Sequence, residues 1–215
     1  MSGGEPKQYL ALAGHPMLWH AVRAVCVPQV QSVFVVLAAN DARFKSHDWS
    51  AFGGRMHPLY CGGSTRRETV YNGLVAVGSM VDPDDWMLVH DAARPCLPSG
   101  DLSNLIRECE NDQIGGLLAL PVAETVKSAA KDEAGVQRIA ATQDRSQLWL
   151  AQTPQMFRAG LLTQALARCA SATDEAAAVE SLGLKPRLVA GSRDNLKVTY
   201  AEDLAIAEAI LARRK

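Results

Sequence analysis

The stretch Trp86-Met87-Leu88-Val89-His90-Asp91-Ala92-Ala93-Arg94-Pro95 decides how this chain is read. Its apolar opening, Trp86 to Val89, has the character of a short buried strand, and polar residues follow at once. In an open α/β sheet, ligands sit just beyond the carboxyl ends of the strands. Asp91 is thereby placed where a carboxylate could hold a hard cation, and Arg94 where a guanidinium could clamp a phosphate in a bidentate fork. Ala92 and Ala93 between them allow close backbone approach. The same residues also fit a polar turn in which Asp91 caps local backbone and Arg94 is solvated, so the rest of the chain has to decide.

Strand-like and helical patterns alternate on both sides of this stretch. Ser32–Ala38 is β-branched and apolar, Met56–Cys61 is shorter, and Gly116–Val122 and Arg187–Ala190 follow downstream. Amphipathic segments lie between them at Pro16–Cys26, Arg66–Ser79, Leu102–Cys109, Ala159–Cys169, Asp174–Leu182 and Tyr200–Arg213. The alternation predicts an α/β fold: a doubly wound, mostly parallel sheet with helices on both faces. Thr65 with Glu68 and Thr199 with Glu202 have the capping-box pattern of helix starts. Thr173 precedes Asp174 and Glu175, acidic residues that suit the positive end of a helix dipole. The rhythm breaks over 124–152, where Thr125-Val126-Lys127, Val136–Thr142 and Leu148-Trp149-Leu150 read as an extended β-arm. A two-stranded ribbon is marginal alone, so the arm is expected to pack on a second subunit, although a surface insertion fits the same residues. Residues 1–215 thus read as one domain with an arm insertion at about 124–152.

Composition narrows the function classes. A chain of 215 residues buries a good core without staples, and a formal net charge of -1 gives no global attraction to nucleic acid or anionic membrane. Cys26, Cys61, Cys96, Cys109 and Cys169 are scattered and odd in number, without the paired spacing of a zinc site. They fit packed thiols in a reducing cytoplasm. No long apolar run or secretory leader is evident, so a soluble cytoplasmic protein is expected, with no nucleic-acid or membrane partner.

Several polar clusters could carry chemistry. Lys7, in Pro6-Lys7-Gln8-Tyr9, could offer phosphate oxygens a compact charge; a solvated lysine is the plain alternative. In Gly62-Gly63-Ser64-Thr65-Arg66-Arg67-Glu68-Thr69, the glycines free the backbone and the helix start presents unpaired N–H groups. Those groups could read a flat base while Arg66 reaches a phosphate, or the segment is simply a turn into a capped helix. Asp144-Arg145, Gln152-Thr153-Pro154-Gln155 and Asp194-Asn195-Leu196-Lys197-Val198-Thr199 add polar groups that identify nothing alone.

Taken in order, these segments resemble one family across nearly the whole chain. Pro6–Tyr9, Gly62-Gly63 with Arg66, His90–Pro95, Pro121 with Thr125, Asp144-Arg145, Thr153-Pro154-Gln155, Thr173–Ala176 and Asn195–Thr199 all fall into the pattern of 2-C-methyl-D-erythritol 4-phosphate cytidylyltransferases of the non-mevalonate isoprenoid pathway. The resemblance implies a Rossmann-like nucleotidyltransferase fold and transfer of CMP from CTP to the sugar phosphate, with Mg2+ and release of pyrophosphate. It implies that Lys7 stabilises charge on the pentacoordinate phosphorus and that Asp91 holds Mg2+. Gly63, Ser64, Thr69 and Ala92 match the nucleotide pocket, Arg66 and Arg94 the phosphate contacts, and Lys197 the contact to the substrate phosphate. Thr125 and Arg145 match arm residues that complete the sugar site of a neighbouring subunit, so a homodimer is expected. Thr153 and Asp194 match residues on the substrate side within one subunit.

The family pattern begins with a strand and an Ala-Ala-Gly-x-Gly-x-Arg loop ahead of Pro-Lys-Gln, and Met1-Ser2-Gly3-Gly4-Glu5 starts just past that point. Two expectations follow: a start codon further upstream, or a shortened chain with impaired catalysis. Loss of that strand is expected to expose apolar edges of its neighbours. A sister group acting on ribitol 5-phosphate is the nearest enzyme rival; Tyr9, Ala93 and Thr173-Asp174-Glu175 favour methylerythritol phosphate. A non-catalytic nucleotide-binding or dimerising protein is the rival of another class.

Overall fold

The computed structural model describes residues 6–214, so the reading of Met1–Glu5 lies outside them. A single turn at Lys7–Tyr9 leads into a tight hairpin of β1 (Ala11–Leu12) and β2 (His15–Pro16), then α1 (Met17–Val25), β3 (Val33–Ala38) and β4 (Met56–Gly62). Next come α2 (Arg66–Val77), β5 (Trp86–Val89), α3 (Ser99–Cys109) and β6 (Gly115–Pro121). The arm is β7 (Val126–Lys131) and β8 (Gln137–Gln143), and the chain continues through β9 (Trp149–Arg158), α4 (Ala159–Arg168), α5 (Glu175–Glu180), β10 (Arg187–Ala190) and α6 (Glu202–Ala212). Every strand and helix expected from periodicity is present. The hairpin β1–β2 and most of β9 were not foreseen.

The main sheet has the order β10-β6-β9-β5, and β3 and β4 form a separate pair. The β10–β6 and β3–β4 pairs are parallel, whereas β9 runs antiparallel to both β6 and β5. The sheet is therefore mixed rather than mostly parallel. The cause is the arm: the chain leaves β6 at Pro121 and returns at Trp149 opposite it, so β9 can only run back down β6. Leu148-Trp149-Leu150, expected in the arm, is thus the entry into a central strand. Pro154 hid that strand, because proline is confined to edges and bulges of sheets, and β9 does change register between Ala151 and Gln155.

Alternation along β6 and β9 puts a core on each face of the sheet. Leu117 and Phe157 point to one face and meet Leu74 of α2, Leu162 and Leu166 of α4 and Val179 of α5. Leu118 and Met156 point to the other, with Val189 of β10, and meet Leu102, Leu105 and Cys109 of α3. The doubly wound expectation holds in this sense. A third cluster packs Val35 and Leu37 of β3 against Leu18, Trp19 and Val22 of α1, with Tyr9, Phe44 and Phe52. Trp86 to Val89, expected to be a buried strand, is only half-buried. Among the described residues β5 pairs with β9 alone and β3 with β4 alone, which leaves one edge of each without a strand neighbour.

Two start signals resolve differently. Thr65 caps α2 by accepting from the Glu68 amide at 3.1 Å, but Glu68 turns back to the Ser64 amide and hydroxyl. The Thr199–Glu202 pair is not a capping box: α6 starts at Glu202, and the Asp203 carboxylate takes the amides of Thr199 and Tyr200. All five cysteines are free, and Cys96 and Cys109 are fully buried with thiols pushed up to about 11 by desolvation, as inert packing residues should be.

Gly115 has φ +104, and a Cβ there would lie 2.2 Å from the Met156 carbonyl oxygen of β9. Gly115→Ala is therefore expected to cost about 2–3 kcal/mol, through the positive φ and a clash with backbone that cannot retreat. Gly100→Ala, whose Cβ meets nothing within 4 Å in α3, should be neutral or slightly stabilising. Urea unfolding midpoints compare the two, and equal shifts would refute the packing reading.

Candidate active site

The loops that leave β4, β5 and β10 at their carboxyl ends converge with the irregular part of β9. They enclose a cleft of about 220 Å³ lined by Arg66, Asp91, Arg94, Ala151, Gln152, Thr153, Gln155, Thr173, Asp174 and Lys197. Gln152, Thr153 and Gln155 are buried polar residues, re-aimed into the cleft where the bulge breaks the alternation of β9.

At its centre Asp91 holds two cations. Arg66 Nε reaches Asp91 Oδ1 at 2.8 Å and Lys197 Nζ reaches Oδ2 at 2.9 Å. Burial alone would raise Asp91, but the two cations outweigh it and hold its carboxyl down to about 2. Arg66 also grips Glu175 with both terminal nitrogens, Nη1 to Oε1 at 2.7 Å and Nη2 to Oε2 at 3.1 Å. Glu175 is fully buried, and desolvation pushes it above the usual carboxylate range against the pull of Arg66. A bidentate contact with a guanidinium that stays charged in proteins is a pairing of ions.

A chain of hydrogen bonds fixes the loop that carries Asp91. The Thr153 hydroxyl accepts the Asp91 amide at 3.0 Å and lies 3.1 Å from His90 Nδ1. His90 Nε2 lies 3.0 Å from the Arg94 carbonyl oxygen, which can only accept. The ring proton therefore sits on Nε2, and Nδ1 accepts from Thr153. Desolvation lowers His90 to about 4, so the ring is neutral at pH 7. Arg94 is buried and ties this loop to the next, with Nη1 on the Asn195 carbonyl at 2.6 Å and Nη2 on that of Ala151 at 3.4 Å. Asn195 is buried as well and donates to the Thr153 carbonyl at 2.8 Å. Arg94 Nε and Asn195 Oδ1 have no partner among the described residues.

The expected site residues divide clearly. Asp91, Arg66, Arg94, Lys197 and Thr153 come together at the cleft. Gly63, Ser64 and Thr69 form the turn beside it: the Gly63 amide donates to Thr69 Oγ1, and a Cβ on Gly63 would stand 2.3 Å from that of Glu68. Glycine is required there by the approach of the turn to α2. Ala92 packs against the cluster of Tyr9, Trp19, Phe44 and Phe52. Lys7 does not line the cleft and lies within electrostatic reach of Asp203. Asp194 faces the chain terminus, paired with Arg213 at 3.0 Å and Arg214 at 3.4 Å. Thr125 and Arg145 are exposed on the arm, away from this cleft. Glu175, Gln155, Asn195 and His90 were not singled out from the sequence as site residues. Their roles depend on burial, and Glu175 looked like any acidic residue in a first helical turn.

Among the described residues no group of three acidic, histidine or cysteine side chains could hold a metal ion. Asp91 alone fits Mg2+, which takes one or two carboxylates and completes its shell with water and phosphate oxygens. Its carboxyl lines the cleft and stays ionised, and its partner Lys197 is half exposed.

The sequence profile of the 2-C-methyl-D-erythritol 4-phosphate cytidylyltransferase family matches residues 1–213. A protein of that name from Aromatoleum aromaticum is 51% identical over 215 residues, all of this chain and 91% of the relative. A crystal structure of 4-diphosphocytidyl-2C-methyl-D-erythritol synthase superposes with TM-score 0.86 at 42% identity, over 96% of this chain and 95% of the other. The 2-C-methyl-D-erythritol 4-phosphate cytidylyltransferase of Francisella tularensis gives TM-score 0.80 at 34% identity, over 96% of this chain and 93% of that one.

The neutral His90 makes stability depend on pH. Its native value of about 4 lies below the ordinary 6.5, so between those limits the unfolded chain takes a proton that the native one refuses. Stability is then present above pH 6.5 and falls by about 3 kcal/mol as pH drops toward 4. His90→Gln should flatten this decline in urea midpoints measured from pH 7 to 4.5. An unchanged slope would show that His90 is not the group responsible.

Proposed function

The chain belongs to the 2-C-methyl-D-erythritol 4-phosphate cytidylyltransferase family and is a nucleotidyltransferase, and from that premise we propose how its residues serve the transfer of CMP from CTP to 2-C-methyl-D-erythritol 4-phosphate. A phosphate oxygen of the sugar phosphate bonds to the α-phosphorus of CTP, the bond to the β-phosphate oxygen breaks, and pyrophosphate leaves with the electron pair. Such a transfer asks for alignment and for positive charge around the reacting phosphorus rather than for covalent help. The observation that carries the reading is the meeting of Arg66 and Lys197 on Asp91 at the carboxyl edge of the sheet.

Each residue has a part in this reading. Lys197 leaves Asp91 for the phosphate of the sugar substrate, and its half-exposed side chain can make that move. Arg66 and Arg94 put fixed positive charge beside the phosphates. The turn at Gly63, Ser64 and Thr69, with Ala92, receives the nucleotide, and Lys7 approaches the reacting phosphorus when substrate is bound. Thr153 and Asp194 shape the sugar side, Thr153 directly and Asp194 through the loop bearing Lys197. Asp91 would hold Mg2+, which when bound neutralises triphosphate charge.

We further place Thr125 and Arg145 in the cleft of a second copy, making the active unit a homodimer. Support comes from the arm's apolar surface: Ile139 is 68% exposed and Val136 47%. The protein is assigned to the cytoplasm, in keeping with its five free cysteines. No helix among the described residues is long and apolar enough to cross a membrane.

Pyrophosphate release with CTP and Mg2+ tests the reading, with methylerythritol phosphate and ribitol 5-phosphate in parallel. Turnover with the first alone is expected; turnover with ribitol 5-phosphate alone would overturn the substrate assignment. Lys7→Ala and Asp91→Asn should each lower kcat/KM by about 10²-fold or more. Arg145→Ala should raise KM for the sugar phosphate while sparing CTP, and equal loss of both would count against the arm assignment.

A further inference from the structure

The Arg66 guanidinium has its donors divided between two carboxylates. Nε serves Asp91 in the cleft, and the Nη1/Nη2 edge is filled by Glu175 behind it. Glu175 is fully buried and does not line the cleft, so it is held out of contact with anything bound there. A carboxylate left without a partner at such depth is costly, so Arg66 has a strong reason to stay in place. Its charge also counts: Arg66, Arg94 and Lys197 face Asp91, Asp174 and Glu175, and the positive and negative charges are equal in number.

We propose that Glu175 is a positioning residue for the nucleotidyl transfer, holding Arg66 edge-on so that it gives Asp91 a single N–H and leaves the resting cleft without net charge. Remove the negative charge, and the guanidinium is free to turn its two-nitrogen edge onto Asp91 or onto bound phosphate. The cleft then carries one extra positive charge. Anions bind more tightly, but Arg66 no longer stands in the orientation the transfer requires. Glu175 acts through Arg66 and touches no substrate. This role rests on the phosphate-binding reading of the cleft, and it can be tested apart from turnover.

The experiment compares the full chain with Glu175→Gln, which keeps the side-chain shape and one acceptor oxygen. Calorimetric titration with pyrophosphate in the presence of EDTA should show about fivefold tighter binding in the variant, the size expected of one added charge several ångströms away. In turnover assays KM for CTP and kcat should fall together, whereas a merely structural lesion raises KM and loosens pyrophosphate. In an Arg66→Gln background, Glu175→Gln should leave pyrophosphate affinity unchanged, because a Glu175 buried without its cation takes up a proton and has no charge left to remove. Circular dichroism melts establish that each variant is folded. Weaker or unchanged pyrophosphate binding in folded Glu175→Gln, or an equal gain without Arg66, would overturn the proposal. If wild type binds pyrophosphate but turns over neither sugar phosphate, the substrate assignment fails while the role of Glu175 still stands or falls on the titrations.

Discussion

Arg66 is the tie on which the site depends. It sits in the first turn of α2, yet its guanidinium joins the loop after β5 to the start of α5. Three segments far apart in sequence therefore share one planar group whose geometry allows few alternatives. Around it, Lys197 closes the other oxygen of Asp91 and brings in the loop after β10. Thr153 holds the Asp91 amide and brings in β9. The cleft is a set of loop ends pinned to one ionised carboxylate.

A second set of contacts holds that carboxylate's own loop. Neutral His90 spans from Thr153 to the Arg94 carbonyl, and buried Arg94 reaches across to Asn195 and Ala151. Most of these bonds end on main-chain atoms, so they fix backbone rather than bind anything. That explains why Arg94, placed by the sequence at the phosphates, spends both terminal nitrogens on carbonyls while its Nε is buried without a partner among the described residues. Buried polar networks of this kind rigidify a site when their members are satisfied.

Much of this was legible in the sequence because local patterns carry it. The apolar runs ending at Ala38 and Val89 and the amphipathic repeats gave the strands and helices, and Asp91, Arg66 and Lys197 were named from motif position. What stayed hidden is non-local. Pro154 argued against the strand that contains it, and only the register change in β9 shows how the sheet tolerates it. Trp86 to Val89 read as buried because apolar character reports preference, whereas exposure is set by which edges find partners. Glu175 could not be told from a helix-dipole acid, since the difference is the arrival of Arg66 from 109 positions away.

Strand β9 has a double part, with its first residues continuing out of the arm and its middle lining the cleft. Its place in the sheet is set by pairing on both sides, to β6 and to β5, and a slip of one position would turn every side chain to the wrong face. The arm's tip, closed around Asp132 by the amides of Ala134 and Val136, takes no part in that pairing. The hairpin can thus be lengthened or shortened at its tip without shifting the register that aims Gln152, Thr153 and Gln155 into the cleft of the same chain.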